Sequence, residues 1–303
     1  MKNVSFENLS FYKLKSFGLL QYRTTDADSF EYISSGTAIK NDFISVQEIS
    51  EQGSVNNINV INKSPHYIFF MDGDVLVGAK QNRVLNTSVL LEPDKNADIT
   101  VSCIEQGRWR HKSEKFSKPD YIAPAMLRKQ KNINVNRNLN SGRSYYSDQG
   151  EVWANVGDYE ARYSRKSDTS DLSEIIESVQ EEYDTFIKHF HCYENANGLA
   201  MFTEDKIISI EIFNRTDIYS EYFPKLLKSA AIEIHHRNKN ESSLQMDDAS
   251  GLLKSELEKL GKAKHKEFKG LAAGVEKRYD SEEFSCHSLL YNDNRIHFSF
   301  LNV

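Results

Sequence analysis

Apolar positions in residues 1–105 fall in short runs separated by polar turn clusters, the pattern of strands rather than helices. Tyr67–Met71 and Asp74–Val77 flank Asp72-Gly73. An Asp-Gly pair between two such runs predicts a hairpin, because a type I′ turn needs positive φ. Val84–Leu91 and Ile99–Ile104 predict two more strands, and Ile58, Val60 and Ile68 sit in segments bounded by Asn-rich and Ser-Pro turns. Past residue 150 the period lengthens. Leu172, Ile175, Ile176, Val179, Tyr183, Phe186, Ile187 and Phe190 share one helical face, with Asp171 and Glu174 spaced as a capping pair. A second helix is expected to begin near Pro224, since proline suits the first helical position, with Phe223, Leu226, Leu227, Ala230, Ala231 and Ile234 as its stripe. A third covers about 251–264. Gly198–Phe202 with Ile207–Phe213, and Phe284–Tyr291 with Arg295–Leu301, read as hairpins around 203–206 and 292–294.

The fold class expected is α+β: a β-rich first half, as a sandwich or strongly bent antiparallel sheet, with a mixed helix-and-hairpin second half. Residues 1–127 form the first half and 151–303 the second, packed together as one structural unit. Between them 128–150, rich in Asn, Ser, Arg and Gly, reads as a long surface loop or connection.

With 39% apolar and 27% charged residues over 303 positions, the chain is globular and large enough for a substantial core. Three cysteines, Cys103, Cys192 and Cys286, lie far apart and suggest neither a disulfide framework nor a zinc knuckle. No apolar run is long enough to span a membrane, and MKNVSFENLS lacks the apolar stretch of a secretory signal, so a cytoplasmic location is expected. A net charge of −6 argues against general nucleic-acid adhesion. The charge is uneven, however: residues 107–147 hold ten Lys/Arg against two acids, Glu114 and Asp120. That island is either a solvated loop or a footprint for phosphate.

Three polar stretches carry the candidate chemistry. Lys80, Gln81, Asn82 and Arg83, followed by Asn86 and Thr87, combine fixed cations with amides, a mixture suited to phosphate plus hydroxyls or base edges. The alternative is a polar strand edge stitched to neighbouring loops. Glu105, Gln106, Arg108 and Trp109 offer a general acid or base, an amide, a phosphate clamp and a stacking surface; the alternative is an ion pair closing a strand end. Asp148 and Gln149 offer a second carboxylate and an amide, or else a turn before a strand. His235 and His236 are adjacent and point to different helix faces, His189 and His191 flank the end of the long helix, and His297 alternates with Phe298 and Phe300. Each reads as a structural histidine. Standard metal, P-loop and dinucleotide motifs are missing. No cofactor is called for, although a divalent ion bridging Glu105, Asp148 and a diphosphate is conceivable.

The string MDGDVLVGAKQNRVLNTSVLLEPDKNADITVSCIEQGRWRH, with GAKQNR, NTS and SCIEQGRW in this order, resembles the signature segment of the ARG and rhodanese-phosphatase-superfamily-associated protein family. EISEQGSVNNINVINKS upstream, SDQGEVW in the middle and the terminal IHFSFL are also similar. The likeness runs from about residue 5 onward and is weakest at 238–268. It departs at Met71-Asp72-Gly73-Asp74, which replaces a more usual Gly-Glu turn. The family's name reflects association with ADP-ribosylglycohydrolases and rhodanese-like phosphatases. The resemblance therefore implies binding or processing of an NAD-derived, ADP-ribose-type nucleotide in metabolism or signalling, with hydrolysis as one form of processing. Lys80, Arg83 and Arg108 would hold the diphosphate, Gln81, Asn82, Asn86 and Gln106 would read ribose or base, Trp109 would stack, and Glu105 or Asp148 would be the base. Two alternatives stand beside it: a non-enzymatic nucleotide sensor or sponge, as in anti-phage defence, and an RNA- or protein-interaction module using 107–147. The acidic remainder of the chain disfavours RNA. Oligomeric state is left open.

Overall fold

A computed structural model of the chain describes residues 4–48, 56–78, 80–107, 116–234 and 241–303. In chain order the elements begin with β1 (Phe6–Leu14), β2 (Phe17–Thr24), β3 (Ile33–Ser34), α1 (Ser35–Lys40), β4 (Ile44–Glu48), β5 (Asn57–Asn62), β6 (Ile68–Phe70) and β7 (Val75–Leu76). They continue with β8 (Arg83–Leu85), β9 (Val89–Leu91), β10 (Asn96–Cys103), α2 (Ala125–Asn140), α3 (Gln149–Tyr163), α4 (Leu172–Ser178) and α5 (Gln180–Ile187). The last are β11 (Gly198–Thr203), β12 (Lys206–Phe213), α6 (Thr216–Ile234), α7 (Met246–Lys262), β13 (His265–Lys269), β14 (Val275–Tyr279), β15 (Ser285–Tyr291) and β16 (Asn294–Leu301). The class is α+β, with a β-rich first half. Among the described residues no helix is long and apolar enough to cross a membrane.

An eight-stranded antiparallel sheet runs in the order β1-β2-β11-β12-β16-β15-β14-β13 and curls into a half-barrel. It is built from both halves of the sequence, β2 pairing with β11. Its two faces follow the period of two. Leu20, Ala200, Phe202, Ile210 and Phe298 face α7, meeting Leu253, Leu257 and Leu260. Leu19, Leu199, Met201 and Phe213 face α6, meeting Tyr219, Tyr222, Phe223 and Leu226. Burying each such leucine or phenylalanine contributes roughly 1.5–3 kcal/mol. A five-stranded sheet, β4-β5-β10-β8-β7, and a three-stranded one, β3-β6-β9, share a separate apolar core.

The two late hairpins form as expected. Glu204 and Asp205 (φ 48° and 62°), and Asn292 and Asp293 (φ 48° and 62°), are the left-handed pairs that type I′ turns require. The Asp72-Gly73 turn also forms, with Gly73 at φ 85°, but it is not a hairpin. β6 pairs with β3 and β9, whereas β7 pairs with β8, so the turn passes the chain between sheets. The run Val84–Leu91 is likewise two strands, β8 and β9, parted by Asn86-Thr87-Ser88, whose side chains are buried.

Three helical expectations need correction. The helix over 172–190 breaks at Val179 (φ −115°) into α4 and α5, although Asp171 caps it by accepting from the Ser173 amide at 2.9 Å. α6 starts at Thr216 and carries Pro224 in its interior. Its first turn is held by Asp28, whose Oδ1 accepts from the Thr216 amide at 2.9 Å, a partner remote in sequence. α7 starts at Met246, before the expected 251.

The largest correction is 128–150, which is mostly helix. α2 occupies 125–140, capped by Ser141 and stopped by Gly142 (φ 72°), and α3 begins at Gln149. One free amide at the start of α2 is met by Glu233, whose Oε1 accepts from Met126 N–H at 3.1 Å. α2 packs on β15 and β16 with a polar stripe, Arg128, Asn132 and Asn136, at i, i+4 and i+8. A helix that buries polar groups shows no apolar period, so its sequence looks like a loop.

Candidate functional site

Asp72 and Asp74 leave the same turn toward two different buried polar clusters. Asp72 faces α2. Its Oδ2 accepts from Arg128 Nε at 3.1 Å and Asn132 Nδ2 at 3.0 Å, and its Oδ1 from Arg128 Nη2 at 3.1 Å. Arg128 also lies 2.8 Å from Glu211 Oε1. Arg128 is 1% exposed and both carboxylates are fully buried. Burial opposes ionisation of Asp72, but Arg128, with His287 and His297, holds its carboxyl well below the usual range. The floor of this cluster is a row of paired residues across the sheet, Arg278, His287, Ser299 and Glu211.

His297 enters through a bulge. Leu289 pairs with His297 and Leu290 with Arg295, leaving Ile296 as an extra residue. The bulge turns His297 toward Phe69 and Phe213, with ring centroids 5.5 and 4.8 Å away. Its Nε2 lies 3.0 Å from Glu211 Oε2 and its Nδ1 3.0 Å from Ser88 Oγ. His287 Nε2 is 3.4 Å from Asp72 Oδ1. One ligand atom from each of Asp72, His287 and His297 lies within 4.8 Å of the others, an arrangement able to hold a metal. Beside them Arg278 Nε pairs with Glu276 at 2.6 Å and its Nη2 donates to Thr87 at 2.6 Å. Lys131, 1% exposed, donates to the Leu85 carbonyl, and burial pushes its amine down to about 7.

Asp74 Oδ2 accepts from Lys118 Nζ (2.8 Å), Tyr222 OH (2.7 Å), Ser35 Oγ (3.0 Å) and the Met71 amide (3.0 Å). Lys118 also donates to Ser35 and Tyr222, each at 2.7 Å, so its three protons are used. Burial pushes the Lys118 amine down to about 8, against the pull of Asp74.

The third cluster gathers several of the residues singled out by sequence. Asn82 joins two carboxylates: its amide donates to Glu105 Oε2 at 3.2 Å and its Nδ2 to Asp171 Oδ2 at 2.8 Å. Thr169 Oγ1 donates to Glu105 Oε1 at 3.1 Å. Gln81 Nε2 donates to the Glu105 carbonyl at 2.9 Å, and Arg83 contacts Gln81 and Cys103 Sγ. Gln149 reaches in from α3, bonding both the amide and the carbonyl of Cys103 at 2.8 Å. Burial pushes the Asp171 carboxyl up to about 6; the Ser173 amide and Asn82 oppose this and Glu105 adds to it.

Other expected residues lie elsewhere. Asn86 bonds Ser102 and the Tyr145 carbonyl, and Thr87 joins the Glu276–Arg278 pair. Asp148 is the N-cap of α3, accepting from the Glu151 amide at 3.1 Å. Lys80 is half-buried and Gln106 exposed. Arg108, Trp109, Ala79, His235 and His236 lie outside the described residues. The basic island is not one surface either, because Arg128 and Lys131 are inside the protein. Sequence reading passed over Asp72, Asp74, Lys118, Asp171 as an acid, Glu211 and His287. The signals for them were the Asp-Gly-Asp spacing and the i, i+4 polar stripe after Pro124.

No curated protein and no solved structure matches the chain. A family description, by contrast, matches residues 2–301, which includes all three clusters. The chain belongs to the ARG and Rhodanese-Phosphatase-superfamily-associated Protein domain family.

Proposed function

We propose that the protein binds a phosphorylated sugar nucleotide of the ADP-ribose type at the Asn82–Glu105–Asp171 cluster and hydrolyses a bond within it. The observation that carries this reading is the carboxylate pair bridged by one asparagine, with Asp171 pushed up to about 6. Two carboxyl groups in different environments divide the roles of acid and base. Asp171 holds its proton into mildly acidic pH and donates it to the leaving group, while Glu105 takes the proton of an attacking water. Glu105 precedes the exposed Gln106 and Gly107, and Gln81 and Asn82 follow the half-buried Lys80, so the pair lies just beneath the surface. Lys80 supplies charge for phosphate, and Gln81 and Gln149 fix the backbone around Cys103 and Glu105. The association with ADP-ribosylglycohydrolases that the sequence resemblance implies favours the same ligand class.

Calorimetric titration with ADP-ribose, ADP and NAD, followed by chromatography of the recovered nucleotide, tests the reading. Wild-type protein is expected to bind one of these and convert it. Asp171→Asn and Glu105→Gln should still bind but turn over about 10²–10⁴-fold more slowly. No heat with any of the three nucleotides refutes the proposal. Binding with the nucleotide recovered unaltered refutes hydrolysis and leaves a sensor.

A further inference from the structure

The buried cluster beneath Asp72 has a feature that its ion pairs do not explain. His287 is fully buried on the sheet face that α2 covers, yet neither ring nitrogen makes a hydrogen bond among the described residues. Leaving a buried polar atom unmet costs about 1–3 kcal/mol. Its Nε2 lies 3.4 Å from Asp72 Oδ1 without the alignment of a hydrogen bond, and His297 completes the group. We propose that Asp72, His287 and His297 form a binding site for one divalent transition-metal ion, with the Ser88 hydroxyl beside it as a fourth ligand. This inference is independent of the nucleotide reading.

The spacings suit such an ion. Metal–nitrogen and metal–oxygen bonds of about 2.0–2.2 Å place the corners of a tetrahedron about 3.4 Å apart. The separations here are 3.4 Å for His287 Nε2 to Asp72 Oδ1, 3.5 Å for Ser88 Oγ to Asp72 Oδ1, and 3.0 Å for Ser88 Oγ to His297 Nδ1. One ligand atom of His297 lies within 4.8 Å of one from Asp72 and one from His287, so inward shifts of the side chains bring the three onto one centre. The outer partners are also in place. With Nε2 donating to Glu211 Oε2, 3.0 Å away, His297 keeps its lone pair on Nδ1, 3.0 Å from Ser88 Oγ. Arg128 spans both Asp72 oxygens and Asn132 adds to Oδ2, which orients the carboxylate; Oδ1, holding Arg128 Nη2 at 3.1 Å, keeps a second lone pair for the ion. The carboxylates of Asp72, Glu211 and Glu276 outnumber the guanidiniums of Arg128 and Arg278, and burial pushes the Lys131 amine toward neutrality, so a dication does not enter a strongly positive site. Two imidazoles and one carboxylate select zinc, ferrous iron or cobalt over magnesium or calcium, which prefer oxygen donors.

The competing occupant is a water molecule hydrogen-bonded to His287. Full-length protein, stripped with chelator and dialysed, is titrated with Co²⁺ and Zn²⁺, with metal content and visible absorption as readouts. One Co²⁺ per chain with d–d bands, displaced by Zn²⁺ and at least tenfold weaker in His287→Gln and His297→Gln, is the expected result. Less than about a tenth of an ion per folded wild-type chain overturns the site in favour of water. Undiminished uptake by His287→Gln also overturns it, by placing the ion elsewhere. Should the histidine variants fail to fold, the wild-type stoichiometry and spectrum decide alone, since octahedral all-oxygen Co²⁺ and nitrogen-ligated Co²⁺ differ in absorption. Mg²⁺ serves as the control and is not expected to compete.

Discussion

Lys131 offers a quantitative test of how dry the space between α2 and the sheet is. Its ammonium sits at 1% exposure with the Leu85 carbonyl as acceptor, and burial lowers its pKa from 10.5 to about 7. In the unfolded chain the amine keeps its ordinary value. Between about pH 7 and 10.5 the unfolded state therefore binds more protons than the native one, and native stability rises with pH. From pH 7 to pH 9 the gain from this group alone is about 2 kcal/mol, at 1.36 kcal/mol per unit over the part of the window crossed. Lys131→Met removes the titration and keeps most of the volume. Urea unfolding of both proteins at pH 7, 8 and 9 measures the difference. The stability gap should move in favour of wild type by about 2 kcal/mol across that range, because all other titrating groups cancel between the two proteins. Parallel stability curves for wild type and variant would show that Lys131 is charged and hydrated in the native protein, and the account of a dry α2 interface would be wrong.

Two further substitutions probe the same region. Arg128→Met leaves Asp72 and Glu211 buried without their shared cation and should cost about 3–5 kcal/mol by chemical denaturation; adding Asp72→Asn should recover part of the loss. Gly73→Ala imposes a side chain at φ 85° and drives its Cβ to 2.7 Å from Arg128 Cγ and Cδ, which are pinned by ion pairs, so a loss of about 2–4 kcal/mol is expected in the same assay. A loss below about 0.5 kcal/mol would mean that Arg128 is not held there.

What was legible in the sequence was whatever is encoded locally. The hairpins at 204–205 and 292–293 follow from their turn residues, and the Asp171 cap follows from its place before an apolar stripe. Elements held by remote partners were illegible. α6 begins where Asp28 caps it, and α2 is stabilised by Glu233 at one end and by a polar row of the sheet along its side. The candidate site divides the same way. Gln81, Asn82, Arg83 and Glu105 meet because antiparallel pairing of β8 with β10 sets Arg83 opposite Cys103 and thereby brings their flanking residues together. Asp171 and His287 come from segments whose approach no local pattern records.

The joining of β2 to β11 has a consequence for synthesis. β2 is almost wholly buried and carries Phe17, Leu19, Leu20 and Tyr22, and its neighbour in the sheet lies far down the chain. At ~5–20 residues per second the hairpin of β1 and β2 waits roughly 10–35 s for its partner to leave the ribosome. Through that interval the outer edge of β2 stands unpaired, the kind of surface that invites wrong strand pairing, and the sheet closes only late in translation.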